Sequence, residues 1–391
     1  MKKIEEFVHD EAHWRNEAAQ RMEKNNAGEY EIIRNAMGVQ EKDSRLYYRT
    51  YIPVSLRQVD MQQFLTDEWG NRLKHFYKEI GRMQGLSFYE TNFKTKNIQF
   101  CKQESISVLE NNEIEVQLTD VFSLRLTDDV SAKMDLYECL EKQKDRICYD
   151  ILSGNIKIKH ENVAFRQNQI WGNAKFKKVS FLEYNPPTPE KVPELMKELE
   201  IYWNEEVKEE PVIKAGLFTY QFLTIMPYEE DNEIWISILL NSFFRKQDMG
   251  SNYYIPFARY FAEQDAERKM AMRHTRESGD YAIWVRFFIH VVEMAVAKTN
   301  QAIMQLEKIH KNTLASIGKE KQKILLQDVS AFMEENPIFV IQDIEREFHT
   351  AYNTAAKSVA ILEKHGVIKE VSNKQRYRVY CYEQYLKEII K

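Results

Sequence analysis

The chain is poor in the residues that punctuate loops. Its 391 residues carry only 12 glycines and 9 prolines. That scarcity argues against a turn-rich β architecture and favours long helices. Cysteine is also sparse. Cys101, Cys139, Cys148 and Cys381 include no Cys-x-x-Cys pair and no zinc-like spacing, so ordinary reduced thiols are expected. No run of 18 apolar residues exists, so no segment is expected to span a membrane. The N-terminus, MKKIEEFVHDEAHW, turns acidic at once and lacks the apolar core of a signal peptide. An excess of positive charge is missing too. The formal net charge is -5, so any nucleic-acid contact has to come from a local patch. Glycine-rich dinucleotide loops, Walker loops, His-Glu-x-x-His and Ser-His-Asp motifs are absent, as are internal repeats and low-complexity tracts. A cytoplasmic protein without membrane contact is the expectation.

Hydrophobic residues make up 43% of the chain and aromatics 12%, enough to bury sizeable cores. The length suits two or three domains. Residues 1–45 read as a helical extension: Phe7, Trp14, Ala18 and Met22 fall near helical spacing, and a second helical piece is expected from Tyr30 to Met37. A helical domain is expected over 46–316. Within it, Trp69, Leu73, Phe76, Tyr77 and Ile80 share one face of a helix over 67–84. Helical periodicity returns over 132–152 and stops at Ser153-Gly154. Residues 155–185 alternate partly with period two, which points to a loop with a β-hairpin. Pro186-Pro187 then breaks the chain, and Pro189 and Pro193 open the next helix. From 197 to 310 nearly everything reads as helix, interrupted near 226–233 and 248–252. Residues 317–391 form a third unit. Three helices, the last capped by Gly366, precede two strands around a Ser-Asn-Lys turn, which is the order of a winged helix.

The stretch from Thr224 to Asn241, TIMPYEEDNEIWISILLN, resembles the active-site loop and helix of the Fic family. In that family the loop reads His-Pro-Phe-x-Asp/Glu-Gly-Asn-Gly-Arg-x-x-Arg, after a helix of the type Ala-x-x-x-His-Tyr-x-Phe-x-x-Ile. Here the helix carries Ala215, Tyr220, Phe222 and Ile225, followed by Met226-Pro227-Tyr228. Flanking pieces are similar to the family as well. Arg166, Asn168, Ile170 and Gly172 fit the element ahead of the flap, and Gly279-Asp280, Trp284, Phe287 and Phe288 fit a later helix. The resemblance spans roughly residues 45–391. It implies a mainly α fold: a Fic-like helical bundle with a β-hairpin flap, over 46–316, followed by a winged helix-turn-helix domain. Phe222, Ile225, Ile238, Leu239 and Phe287 are expected in the bundle core.

Residue by residue, the resemblance places the family's catalytic machinery on Met226, Pro227, Tyr228, Glu230, Asn232, Ile234 and Ser237. In the family the loop His deprotonates a target hydroxyl that attacks the α-phosphate of ATP. Met226 stands at that position. A thioether does not accept a proton at neutral pH, a loss typically on the order of 10²–10⁴-fold. The two glycines that let backbone N–H groups cradle phosphates are matched by Asp231 and Glu233. The two phosphate-clamping arginines are matched by Ile234 and Ser237. Pro227, Tyr228, Glu230 and Asn232 remain. Glu230 stands where the family holds its metal, and an exposed loop carboxylate is the simpler account of it.

The family's inhibitory helix, Ser/Thr-x-x-x-Glu-Gly/Asn, is matched by Ile106-Ser107-Val108-Leu109-Glu110-Asn111. Ser107 neighbours the pattern's hydroxyl position, which is Ile106, while Glu110 and Asn111 agree with it. The arginine that such a Glu would pair with is Ser237. Among histidines, His274 and His290 are candidates for a replacement base by type only. His290 lies in an apolar helix and is expected in a core or interface, and His310 and His365 are expected near helix ends, where they favour the dipole.

On the winged helix, Tyr352, Asn353, Thr354 and Lys357 are the candidates for base contact. Lys374, Gln375, Arg376 and Arg378 form a wing suited to phosphate contact. Residues 321–391 hold 11 Lys plus Arg against 10 Asp plus Glu, which is poor for a strong phosphate grip. Protein contact and DNA contact both stay open. Two functional readings follow. In one, a catalytically degenerate Fic-like protein acts as a regulatory or binding module. It would need no cofactor and no metal, would dock a protein partner on the flap by strand addition over Ile170–Tyr184, and would reach DNA through the winged helix. In the other, a divergent Fic-type transferase uses a non-standard donor or base, with ATP and Mg as its cofactors. A homodimer is compatible with either.

Overall fold

The computed structural model describes residues 24–34, 47–88, 93–112, 114–143, 145–158, 161–170, 185–206, 210–249, 252–372, 374 and 376–391. The helix expected before residue 24 and the flap residues 171–184 lie outside the described residues. Helix accounts for 68% of the structure, so the fold is mainly α. In chain order the strands are β1 (Lys24–Asn25), β2 (Gly28–Arg34), β3 (Tyr47–Pro53), β4 (Ile156–Ile158), β5 (Glu161–Val163), β6 (Ile338–Val340), β7 (Lys369–Glu370) and β8 (Val379–Cys381). The helices are α1 (Asp67–Ser87), α2 (Phe93–Asn111), α3 (Leu118–Val121), α4 (Asp128–Gln143), α5 (Asp145–Ser153), α6 (Val192–Asn204), α7 (Pro211–Ile225), α8 (Asn232–Lys246), α9 (Phe257–Glu263), α10 (Asp265–Ser278), α11 (Tyr281–Ile317), α12 (Lys323–Glu335), α13 (Ile341–Glu347), α14 (Tyr352–Lys364) and α15 (Glu383–Ile390). No helix among the described residues is long and apolar enough to cross a membrane. The chain divides into two compact units. One comprises Met1–His75, Cys139–Gln247 and Gln264–Val292, and the other Phe76–Glu138, Asp248–Glu263 and Glu293–Lys391.

The first unit opens with an antiparallel sheet in the order β1-β2-β3. The helix expected from Tyr30 is a strand instead. Tyr30 lies opposite Tyr51, and Ile32 opposite Arg49. Aromatic and β-branched residues fill both strands, and cross-strand pairing outweighs weak local helix propensity. The β1–β2 turn is closed by Asn25, whose Oδ1 accepts from the N–H groups of Ala27 at 2.8 Å and Gly28 at 3.3 Å. A Cβ on Gly28 would lie 2.4 Å from the Ile52 carbonyl oxygen, so only glycine fits beside β3.

Helix α7 is the centre of this unit. Every residue from Val212 to Ile225 is buried, as a helix apolar on all sides must be. At Gly216 another helix comes in: a Cβ there would lie 2.9 Å from the Phe288 ring, and the Trp284 indole donates to the Gly216 carbonyl at 2.7 Å. Phe222, Ile225, Ile238 and Leu239 are fully buried, which agrees with the register of the loop match. Phe287 is only half-buried, whereas Phe288 is fully buried. One residue turns a helix by roughly 100°, so the sequence match picked the wrong member of the pair. The hairpin expected within 155–185 is present as β4 and β5, with Ile156 opposite Val163.

In the second unit, α2 is buried from Thr95 to Leu109 apart from Asn97, Ile98, Ile106 and Ser107. Its Glu104 is fully buried and accepts from Tyr137 Oη at 2.7 Å, Tyr254 Oη at 2.5 Å and the Ala258 N–H at 2.6 Å. Those three donors supply what a buried carboxylate requires. Gln99 Nε2 donates to the carbonyls of Glu334 at 2.9 Å and Glu335 at 2.8 Å, which ties α2 to α12. The C-terminal sheet has the order β6-β8-β7, with Ile338 opposite Cys381 and Lys369 also opposite Cys381. Strand β6 is only three residues long, too short to leave a periodic trace in the sequence. Gly366 has φ 68° after α14, the left-handed conformation expected at a helix end.

Candidate functional site

The loop between α7 and α8 begins with Met226 in the left-handed region, φ 47° and ψ 66°, directly after α7. Its carbonyl points to an unusual partner. Arg166 is almost completely buried, and its Nε donates to the Met226 carbonyl at 2.7 Å. The same guanidinium donates to the carbonyls of Asn168 at 3.1 Å, of Ile225 at 3.4 Å and of Pro187. The Arg166 N–H also donates to the Pro227 carbonyl at 2.9 Å. A fork of five donors suits a loop that turns several carbonyls inward.

Pro227 and Tyr228 are buried. Tyr228 Oη donates to the Ile151 carbonyl of α5, and burial, with the nearby Asp150, pushes its phenol well above the ordinary tyrosine range. Asn232 closes the loop on itself: its Oδ1 accepts from the Tyr228 N–H at 3.1 Å and its Nδ2 donates to the Tyr228 carbonyl at 2.8 Å. Pro227, Tyr228 and Asn232 therefore hold a turn. Glu230 is exposed. Its neighbour Glu229, which the sequence did not single out, accepts from the N–H groups of Gln167 at 3.3 Å and Asn168 at 3.1 Å and from Asn168 Nδ2 at 3.1 Å. Some 60 residues separate these partners, so no local pattern marks them.

At the start of α8, Asp231 occupies the N-cap with φ 63° and ψ 19°. A glycine conformation is thus carried by an aspartate, one of the few side chains that tolerate it. Glu233 stands in the first turn. It lies 3.7 Å from Arg268, which pairs more closely with Asp265 at 2.5 Å. The positive end of the helix dipole is thus faced by carboxylates of the chain itself. Ile234 and Ser237 are fully buried, so neither position reaches out to a ligand. The positions that the resemblance matches to the phosphate cradle thus carry carboxylates, and those it matches to the clamp lie in the core. Among the described residues no group of three or more His, Cys, Asp or Glu side chains could hold a metal ion.

Residues 145–244 match the model of the Fic/DOC family. They are a Fic domain. The match covers α5, the β4–β5 hairpin, α6, α7, the loop and most of α8, and it is shorter than the 45–391 span expected from sequence. The chain is also similar to the crystal structure of a Fic family protein from Desulfovibrio desulfuricans G20. That likeness has 15% identity and a TM-score of 0.47, and covers 81% of this chain and 96% of that one.

Other candidate residues lie outside the Fic domain. Ser107, Glu110 and Asn111 belong to the last turns of α2. The Ser107 hydroxyl donates back to the Gln103 carbonyl at 3.4 Å, and Glu110 and Asn111 are exposed. His274 and His290 are exposed, so His290 is not a core residue: it falls on the outer side of an otherwise apolar helix. His310 does not cap a helix, because α11 continues to Ile317. Its Nδ1 instead lies 2.6 Å from Glu334 Oε1, and that hydrogen bond raises its pKa above the ordinary histidine value. His365 is at the end of α14, with Nε2 2.9 Å from Glu320 Oε1.

On α14, Tyr352, Asn353 and Lys357 are exposed and Thr354 is half-buried. Lys374, Arg376 and Arg378 are exposed. Asn353, Lys357, Ala360 and Lys364 follow i, i+4, i+7, i+11 spacing, all exposed, and so share one face. From Tyr352 to Val379 the cations are Lys357, Lys364, Lys369, Lys374, Arg376 and Arg378, and the carboxylates are Glu363 and Glu370 alone. Glu370 lies 3.6 Å from Arg378. The acids that make residues 321–391 nearly neutral thus lie mostly elsewhere, on α12, α13 and α15.

Proposed function

We propose that this protein is a Fic-type binding module that does not transfer AMP. One observation carries the reading. The N-terminus of α8, where the family clamps phosphate, is faced by Asp231 and Glu233, and the two clamp positions are the buried Ile234 and Ser237. Loss of the base at Met226 alone is compatible with a substituted base, but together these changes remove the anion site itself. The surviving Asn232 and Tyr228 are accounted for by the turn they hold. Incubation of the full chain with α-labelled ATP and Mg²⁺, alone and with cell lysate, tests this reading. No labelled protein is expected. Label transfer that disappears in Glu230→Ala or Asn232→Ala would overturn it in favour of a divergent transferase that uses ATP and Mg.

The C-terminal segment would supply the partner, and its segregated charge favours DNA over protein. Six cations against two carboxylates over 352–379 supply the local positive charge that DNA contact by an acidic chain requires. In this reading α14 is the recognition helix of a winged helix. Ala360, between Lys357 and Lys364, leaves room for close approach to a groove. Binding of duplex DNA that falls steeply between low and moderate salt is expected. Absence of duplex binding even at low salt would point to a protein partner instead.

A further inference from the structure

The hairpin between β7 and β8 is closed by the Val371 N–H donating to the Val379 carbonyl at 2.9 Å and by the Val379 N–H donating to Ser372 Oγ at 3.1 Å. Beyond this closure lie residues 373–378, Asn-Lys-Gln-Arg-Tyr-Arg, with three cations and no carboxylate. Tyr377 stands between Arg376 and Arg378, both exposed. It is itself 72% exposed. Its φ is 54°, in the left-handed region that a bulky side chain rarely adopts. Among the described residues no ring, hydrogen bond or ion pair engages it. Two costs therefore meet at one residue, a strained backbone and an aromatic ring left in water, and no contact among the described residues offsets either. Outliers of this kind concentrate where a ligand is gripped.

Resting on the DNA reading above, we propose that Tyr377 enters the minor groove of duplex DNA at A·T pairs, with Arg376 and Arg378 on the flanking phosphates. The minor groove of an A·T pair presents acceptors only, adenine N3 and thymine O2. The phenol hydroxyl is a donor that fits them, while guanine N2 would obstruct it. Arginines beside it gain from the deeper negative potential of a narrow A·T groove, and proteins that bind this groove frequently add an apolar side chain to their polar contacts there.

Fluorescence anisotropy of the full chain on 30-base-pair duplexes, A·T-rich, G·C-rich and inosine·C-rich, tests the proposal. Inosine·C pairs keep the G·C major groove but lack the N2 amine. The wild type is expected to bind A·T-rich and inosine·C-rich duplexes about tenfold more tightly than G·C-rich ones, the size of one good base contact. Tyr377→Phe should lose most of that preference. Tyr377→Gly should weaken binding to the A·T-rich duplex to the G·C-rich level and raise the thermal midpoint of the protein, because glycine relieves the strained φ. Equal affinity of wild type and Tyr377→Gly for all duplexes would overturn the role of Tyr377 while leaving DNA binding in place. A preference that follows G·C-like major-groove chemistry, with inosine·C grouped with G·C, would also overturn it. Failure of the wild type to bind any duplex at low salt would overturn both the proposal and the DNA reading.

Discussion

The guanidinium of Arg166 and the carbonyl of Met226, 60 residues apart, meet at 2.7 Å. This contact holds the start of the loop, at the residue that the sequence resemblance matches to the base of the Fic family. Arg166→Ala would leave the buried carbonyls of Pro187 and Ile225, and the part-buried ones of Met226 and Asn168, without this donor. A loss of about 2–4 kcal/mol is expected, read from the urea midpoint. Arg166→Lys should recover only a part, since an ammonium cannot span the same fork.

Asp231 carries a glycine's backbone geometry. Asp231→Gly is expected to stabilise the protein by roughly 0.5–1 kcal/mol, because the left-handed cost is relieved. The gain is reduced by whatever the carboxylate contributes at the α8 N-terminus. Thermal unfolding at low and high salt separates the two, since only the dipole part is screened.

Asn232→Ala removes both hydrogen bonds that close the loop on Tyr228. It should cost about 1–3 kcal/mol by leaving buried backbone groups unpaired. Asn232→Asp keeps the acceptor and loses the donor, so it should fall between wild type and Ala. If both variants unfold like wild type, Asn232 is not the turn's clasp.

Helices and charge were legible in the sequence where a single stretch carries the signal. Trp69, Leu73, Phe76 and Ile80 mark one buried face of α1, and residues 226–237 carry the resemblance to the Fic loop, which the family match over 145–244 bears out. What escaped depends on distant partners. Tyr30 to Arg34 looked helical because their strand partners, Tyr47 to Tyr51, lie up to 21 residues further on. Glu229 looked like any loop acid until the segment around Asn168 was brought to it. Phe287 and Phe288 differ only by a helix rotation that the packing of Gly216 decides. The near-neutral sum over residues 321–391 concealed a segregation that the narrower window 352–379 shows, and the bounds of that window come from α14 and the hairpin.

Gly216→Ala would put a methyl group 2.9 Å from the Phe288 ring. Overpacking of this kind costs about 1–3 kcal/mol, measured as a shift in the urea midpoint. A simultaneous Phe288→Leu should recover a part of it, because the two sites share one space.

His310 has a folded-state pKa raised by its hydrogen bond to Glu334. A raised pKa means that the folded state holds the proton more tightly. The contribution to stability is thus fully present below the unfolded value near 6.5 and is lost as pH rises through the higher folded value. Stability should fall across that window, and His310→Gln should flatten the slope. An unchanged slope in the variant would assign it to other groups.

The central claim is that the α8 N-terminus no longer takes a nucleotide. Isothermal titration of the full chain with ATP, ADP, AMP, GTP and CTP, with and without Mg²⁺, tests it most directly. The account predicts no heat of binding at any nucleotide up to millimolar concentration. Micromolar binding of any of them, abolished by Asn232→Ala in protein shown to be folded, would contradict it and return the loop to the transferases.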